Sequence, residues 1–350
     1  MSDNNNELKP LSLDFLNDAL NNDESSTPDT YTSNDKDDTF VPLSGNHKPE
    51  PINKLNVETN NEVPKKSNTY NNDDVFVPIS GVHKPEIINK NSNFVCFFGS
   101  AYSGKSVILC SLLYYLKSRE GVLSLDPSTP TFRESEILLS NFFEDIALGK
   151  LPARTTIDQI SRFDLKFTPN NKSSKVIPIN LAFLDTSGDN NTQIRKGGEF
   201  HSTITDYINA QVSITFIIAT TYDNAHKEDT FINEFISKLE IKGTKLKKIN
   251  IIIIVSKWDM SGKQTASNEE LESFFQERLP ITNTIIKTYN LTRTYYTIGD
   301  LDSSVNKITR LNLDRAEVLS KWLYKSITGY PLDYEGTFWE RIKFSILNNE

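Results

Sequence analysis

Phe94-Val-Cys-Phe-Phe98 runs directly into Gly99-Ser-Ala-Tyr-Ser-Gly104-Lys105-Ser106, an apolar strand followed by the spacing GxxxxGKS. The pattern is the sequence form of a loop that cradles phosphates, and its strand–loop–helix context predicts an α/β fold. Side chains at the glycine positions would keep consecutive backbone N–H groups from closing on a polyphosphate. Gly99, Ser100, Ala101, Tyr102, Ser103, Gly104, Lys105, Ser106 and Val107 are therefore candidate nucleotide-binding residues. Lys105 is expected to place a point charge on the β and γ phosphates, and Ser106 to offer its hydroxyl to Mg²⁺. From Val107 to Leu116 the chain continues as a helix apolar nearly all round, whose N-terminus adds partial positive charge beneath the phosphates. The competing reading is a glycine-bearing turn without function.

The chain of 350 residues divides near residue 90. Residues 1–90 contain no Arg, Trp or Cys, and carry 16 Asp and Glu against 8 Lys, an excess equal to the whole net charge of −8. So polar a stretch buries too little apolar surface to offset its ordering entropy, which predicts a disordered acidic tail. The remaining 260 residues, balanced in charge, suit one large α/β domain at 91–330 with a C-terminal extension at 331–350. No basic stripe stands out, so nucleic acid is not the expected direct partner. Neither a secretory signal nor a bilayer-spanning apolar run is found, and Ser2 stands where myristoylation needs a glycine, so the reading is cytoplasmic with no transmembrane segment. Cys96 and Cys110 fall in the apolar strand and helix beside the loop and read as small hydrophobes.

The tail holds a duplication: Asp37 to Lys54 recurs as Asp73 to Lys90, with 14 of 18 positions identical. Both copies keep Phe-Val-Pro, then Leu or Ile, then Ser-Gly, a pattern suited to docking in a groove or adding to a sheet edge. Two copies on one string would grip a dimeric or polymeric protein partner by avidity. A duplication without a role is the alternative. Ser12 to Leu20 carries a Ser cap and apolar spacing suited to a short docking helix.

Strand-like runs at 94–98, 163–168, 178–184, 211–219, 249–255 and 293–298 alternate with helix-like runs at 105–118, 133–147, 201–209, 228–240, 268–278 and 314–327. That alternation predicts a doubly wound, mostly parallel sheet, in which ligands sit at the carboxyl ends of the strands. Two further motifs fall there. Asp185-Thr-Ser-Gly188 is a DxxG form, in which the Asp reaches Mg²⁺ through water and the Gly N–H meets the γ-phosphate. Ser256-Lys257-Trp258-Asp259 resembles the NKxD or TKxD guanine-recognition motif, in which the Asp carboxylate accepts two hydrogen bonds from the edge of guanine, a donor pair adenine lacks, while the Lys stem lies along the base.

With GxxxxGKS, DTSG and SKWD in this order and each after a strand, residues 94 to about 300 resemble the TRAFAC-class P-loop GTPases. The long interval between the first two motifs, with Gly149-Lys-Leu-Pro-Ala-Arg-Thr155-Thr156 inside it, is most similar to the bacterial double-GTPase type. The resemblance implies a P-loop G domain, GTP/GDP and Mg²⁺ as ligands, and a nucleotide-gated switch. It implies that Thr155 or Thr156 is the switch I ligand of the metal, and that 189–200 form switch II. Lys105, Gly188, the switch threonine and Arg154 are then the catalytic candidates, Arg154 as a cis arginine or as a plain solvated residue. Tyr296-Thr-Ile-Gly299 stands where the family has its last guanine loop, making Ile298 a candidate contact. The motif departs in two places. Ser256 stands for Asn or Thr, and Asp189 follows Gly188 where many members place the Gln that orients water, so hydrolysis is expected to be slow or to need another group; Gln193 and His201 are candidates.

The expected function is a GTP-binding molecular switch that hydrolyses GTP, tethered to a protein partner by its tail and served by a companion GTPase or activating protein. Two alternatives stay open at this point: a P-loop ATPase or phosphotransferase in which SKWD is accidental, and a pseudo-GTPase scaffold that holds nucleotide without turnover.

Overall fold

The computed structural model describes residues 92–340 apart from 128, 130–131, 153–159, 172, 187, 192–193, 195–196, 201, 210–211, 244, 247–248, 303, 305–306 and 338. The tail with its repeats, the helix-like run at 12–20 and the last ten residues lie outside the described residues, as do Arg154, Thr155, Thr156, Gln193 and His201.

The strand that feeds the loop, β1 (Asn93–Phe98), lies at the middle of a seven-stranded sheet. It pairs in parallel with β4 (Ile179–Thr186) on one side and with β5 (Ile214–Thr221) on the other. Beyond β5 come β6 (Asn250–Ser256) and β7 (Thr292–Tyr295), also parallel. Beyond β4 come β3 (Ile160–Pro169) and the edge strand β2 (Gly121–Leu125), both joined by antiparallel ladders. The order is β2-β3-β4-β1-β5-β6-β7, so the expectation of a mostly parallel α/β sheet holds, with two antiparallel pairings at one edge.

Period-two alternation sorts the strand side chains into two layers. Val95 and Phe97 of β1 and Ile252 and Ile254 of β6 pack with α1 (Lys105–Tyr115), α2 (Phe132–Ala147) and α7 (Asp314–Thr328). Phe94, Cys96, Phe98, Ile251, Ile253 and Val255 face α3 (Ser202–Asn209), α4 (Ala225–Ile241), α5 (Asn268–Arg278) and α6 (Pro280–Tyr289). A strand covered on both faces favours apolar residues at successive positions, which is why β6 reads as an unbroken Ile-Ile-Ile-Ile-Val run. Burying each such side chain contributes about 1.5–3 kcal/mol before entropy is counted.

Several boundaries differ from the sequence reading. The helix expected over 105–118 is α-helical to Tyr115 and widens into a π turn over Leu116–Glu120. The strand expected over 293–298 stops at Tyr295, and a hairpin of β8 (Gly299–Asp302) and β9 (Lys307–Leu311) follows. Among the described residues no helix is long and apolar enough to cross a membrane.

Candidate functional site

The loop leaves β1 at Gly99 and enters α1 at Gly104, whose φ of 80° is left-handed backbone that costs glycine little. Lys105, with 7% of its surface exposed, turns back over the loop. Its Nζ donates to the carbonyls of Gly99 (3.1 Å) and Ser100 (2.9 Å) and to Ser103 Oγ (3.4 Å). Asn191 secures the other side: its Nδ2 donates to the Gly99 carbonyl at 3.1 Å, while its Oδ1 accepts from Thr186 Oγ1 at 3.2 Å. One ammonium is thus held at the helix N-terminus, where anions are favoured. Tyr102 adopts φ 65° and is 70% exposed at the rim.

Asp185, next to last in β4, lies beside Phe97 of β1, and its Oδ2 is 3.0 Å from the donating hydroxyl of Ser106. Residues 79 apart in sequence are joined by neighbouring parallel strands. Gly188, the last residue of DTSG, begins a single helical turn pressed against the loop. A Cβ there would lie 2.2 Å from Ala101 N and 2.4 Å from Ala101 Cα, so only glycine fits.

At the end of β6, Ser256 Oγ lies 2.8 Å from the carbonyl oxygen of Ser103 and 3.0 Å from that of Thr220. Lys257 follows at φ 54°, which turns the chain into a 3₁₀ turn over Trp258–Ser261. The Trp258 N–H donates to the Tyr296 carbonyl at 3.2 Å, and its indole packs against Tyr222, Phe274 and Tyr295 with centroids 5.3–5.4 Å apart. A buried indole thereby fixes the turn and leaves Asp259 half-buried at the surface. Desolvation raises the Asp259 carboxyl above its ordinary value, against the opposing pull of its own backbone N–H and of the Lys257 ammonium.

One cavity of about 700 Å³ connects these segments, with Ala101 to Val107, Gly188, Lys257 and Asp259 in its wall. Thr186 of DTSG, Leu151 and Pro152 of the 149–156 stretch, and Met260, Leu301 and Asp302, which the sequence did not single out, complete the wall. Leu301 and Asp302 arrive on the hairpin. Ile298 instead is buried in the layer facing α1 and α7, and its carbonyl accepts from Asn312 N at 3.0 Å. A hollow of about 960 Å³ at the far end of α1 is the larger of the two, but three of its ionic groups have local partners: Glu120 takes the Tyr115 hydroxyl (2.5 Å), Glu317 pairs with Lys321 (2.7 Å) and Arg310 with Asp300 (2.9 Å). Among the described residues no group of three or more His, Cys, Asp or Glu is placed to hold a metal. A divalent cation at Ser106 and Asp185 would complete its shell from ligand oxygens and water, as Mg²⁺ commonly does.

The wall thus offers an ammonium and a helix N-terminus for an anion at one end and a half-buried carboxylate for hydrogen-bond donors at the other. Neither a family model nor a curated protein matches the chain.

Proposed function

We propose that this chain is a GTP-binding molecular switch that hydrolyses GTP to GDP with Mg²⁺, built on a P-loop G domain of the TRAFAC class. The observation that carries the reading is the single cavity whose wall contains Lys105, Ser106, Gly188 and Asp259, residues from three separate strand ends. The reading is supported by how closely Gly188 sits on the 99–106 loop, since a Cβ there would meet the backbone of Ala101 at 2.2 Å. Ser106 and Asp185 are the residues that would hold Mg²⁺, which when bound offsets charge on phosphate oxygens.

The chain's own groups work by positioning and electrostatics. Lys105 supplies charge to the phosphates, and the backbone N–H groups of the loop and of Gly188 orient them. Asp259 accepts hydrogen bonds from the guanine edge, and the Lys257 stem lies along the base. Switch I, with Thr155 or Thr156 and Arg154, and a protein partner for the tail repeats belong to the same proposal.

Calorimetric titration of the full chain with GDP, a GTP analogue and an ATP analogue, each with and without Mg²⁺, tests it. Binding of the guanine nucleotides at least tenfold tighter than the ATP analogue, with Mg²⁺-dependent release of phosphate from GTP, is expected. Equal affinity for both bases, or no binding, overturns it.

A further inference from the structure

The inward face of α4 carries Phe231, Ile232, Phe235, Ile236 and Leu239, all buried against the sheet. Glu228 stands on the same face one turn earlier, with 4% of its surface exposed. A carboxylate at an apolar position loses hydration worth several kcal/mol and must be fully hydrogen-bonded to remain there. Its partners are specific: Oε1 accepts the Ser100 hydroxyl and Oε2 the Thr220 hydroxyl. Ser100 also gives its carbonyl to Lys105 Nζ at 2.9 Å. One residue of the phosphate loop is therefore held by a carboxylate through its side chain and by the loop's ammonium through its backbone.

Two donating hydroxyls call for two acceptor oxygens, which a carboxylate has and a glutamine, with its NH2 end, lacks; the arrangement therefore sets a carboxylate behind the loop. Behind a loop that gathers positive potential for an anion, a buried negative charge weakens that potential. We infer that Glu228 is a positioning residue that fixes Ser100 and, by offsetting part of the Lys105 charge, lowers the loop's affinity for polyphosphate so that nucleotide exchanges readily. The inference rests on the reading of this loop as a polyphosphate site, and deepens it. Glu228 touches neither Ser106 nor Asp185; it acts through Ser100.

The test compares the full-length protein with Glu228→Gln and Glu228→Met by calorimetric titration against inorganic tripolyphosphate, GDP and a GTP analogue. Both variants remove the charge, and the second also removes the hydrogen bonds at nearly the same length. Glu228→Gln is expected to bind all three ligands about tenfold tighter than wild type, and Glu228→Met, which also frees Ser100, to gain less. Damage to the fold lowers affinity, so a gain reports the charge. Wild-type affinity unchanged or weakened in both variants overturns the inference, as does failure of the wild type to bind tripolyphosphate. Wild-type binding of tripolyphosphate without any preference for guanine overturns the GTP switch while the variants still decide the role of Glu228.

Discussion

The hydroxyl of Ser256 lies 2.8 Å from the carbonyl oxygen of Ser103, so the strand end that presents Lys257 and Asp259 is fastened to the 99–106 loop 153 residues earlier. Both ends of the cavity share this contact, and the small side chain suits it. A Cβ at Gly104 would already lie 3.3 Å from the same hydroxyl. Ser256→Ala leaves the buried Ser103 carbonyl without this donor and is expected to cost about 1–2 kcal/mol in urea denaturation. Nucleotide affinity is expected to fall severalfold with it, whereas unchanged affinity would separate the two ends.

Gly188→Ala drives a methyl group into the backbone of Ala101 and Ser100. Backbone cannot swing aside as a flexible side chain can, so the loop must move. The variant is expected to lose about 1–3 kcal/mol of stability and most of its polyphosphate binding, read by urea denaturation and calorimetry.

Ser106→Ala removes the hydroxyl bonded to Asp185 at 3.0 Å. If this pair holds the cation, the variant keeps its Mg²⁺-free nucleotide affinity and loses the enhancement that Mg²⁺ gives. Titrations with EDTA and with Mg²⁺ separate the two terms.

In the proposed switch Asp259 would read guanine only as a carboxylate, because a protonated acid presents a donor to the base's donors. Its folded-state value is raised by desolvation, so guanine affinity is expected to fall on acidification at a pH above the ordinary 3.8 of an aspartate. The sign for folding is opposite: this group's stabilising contribution is full below the ordinary value and lost as pH rises through the raised one. Fluorescence titration of GDP from pH 7 downward checks the first, and denaturation over the same range the second.

Much of this architecture was legible because the central strands are buried on both faces and are apolar through most of their length. β1, β4, β5 and β6 stand out as apolar runs, and the three motifs sit at their carboxyl ends. The edge strand Gly121-Val-Leu-Ser-Leu125 was not legible, since an edge needs only weak patterning and its Gly and Ser lower strand propensity. Pro280-Ile-Thr-Asn-Thr-Ile-Ile-Lys-Thr-Tyr289 is rich in β-branched residues yet forms α6, with Pro280 starting the helix and Thr282, Asn283 and Ile286 buried. Tertiary packing overrides local preference there.

The site divides in the same way. Lys105 and Gly188 line the cavity where their local spacing put them and Asn191 falls in the 189–200 stretch named for switch II, whereas Leu301 and Asp302 reach the cavity only through the packing of a distant hairpin. Glu228 did leave a signal: it shares the helical face of Phe231, Ile232 and Phe235, where a charge is out of place.

The central claim is most directly tested by the base preference of Asp259→Ala in the full chain, measured against GDP, a GTP analogue and an ATP analogue with Mg²⁺. The variant is expected to retain polyphosphate binding through Lys105 and to lose the discrimination between guanine and adenine. Guanine preference that survives the substitution, or adenine preference in the wild type, would contradict the account.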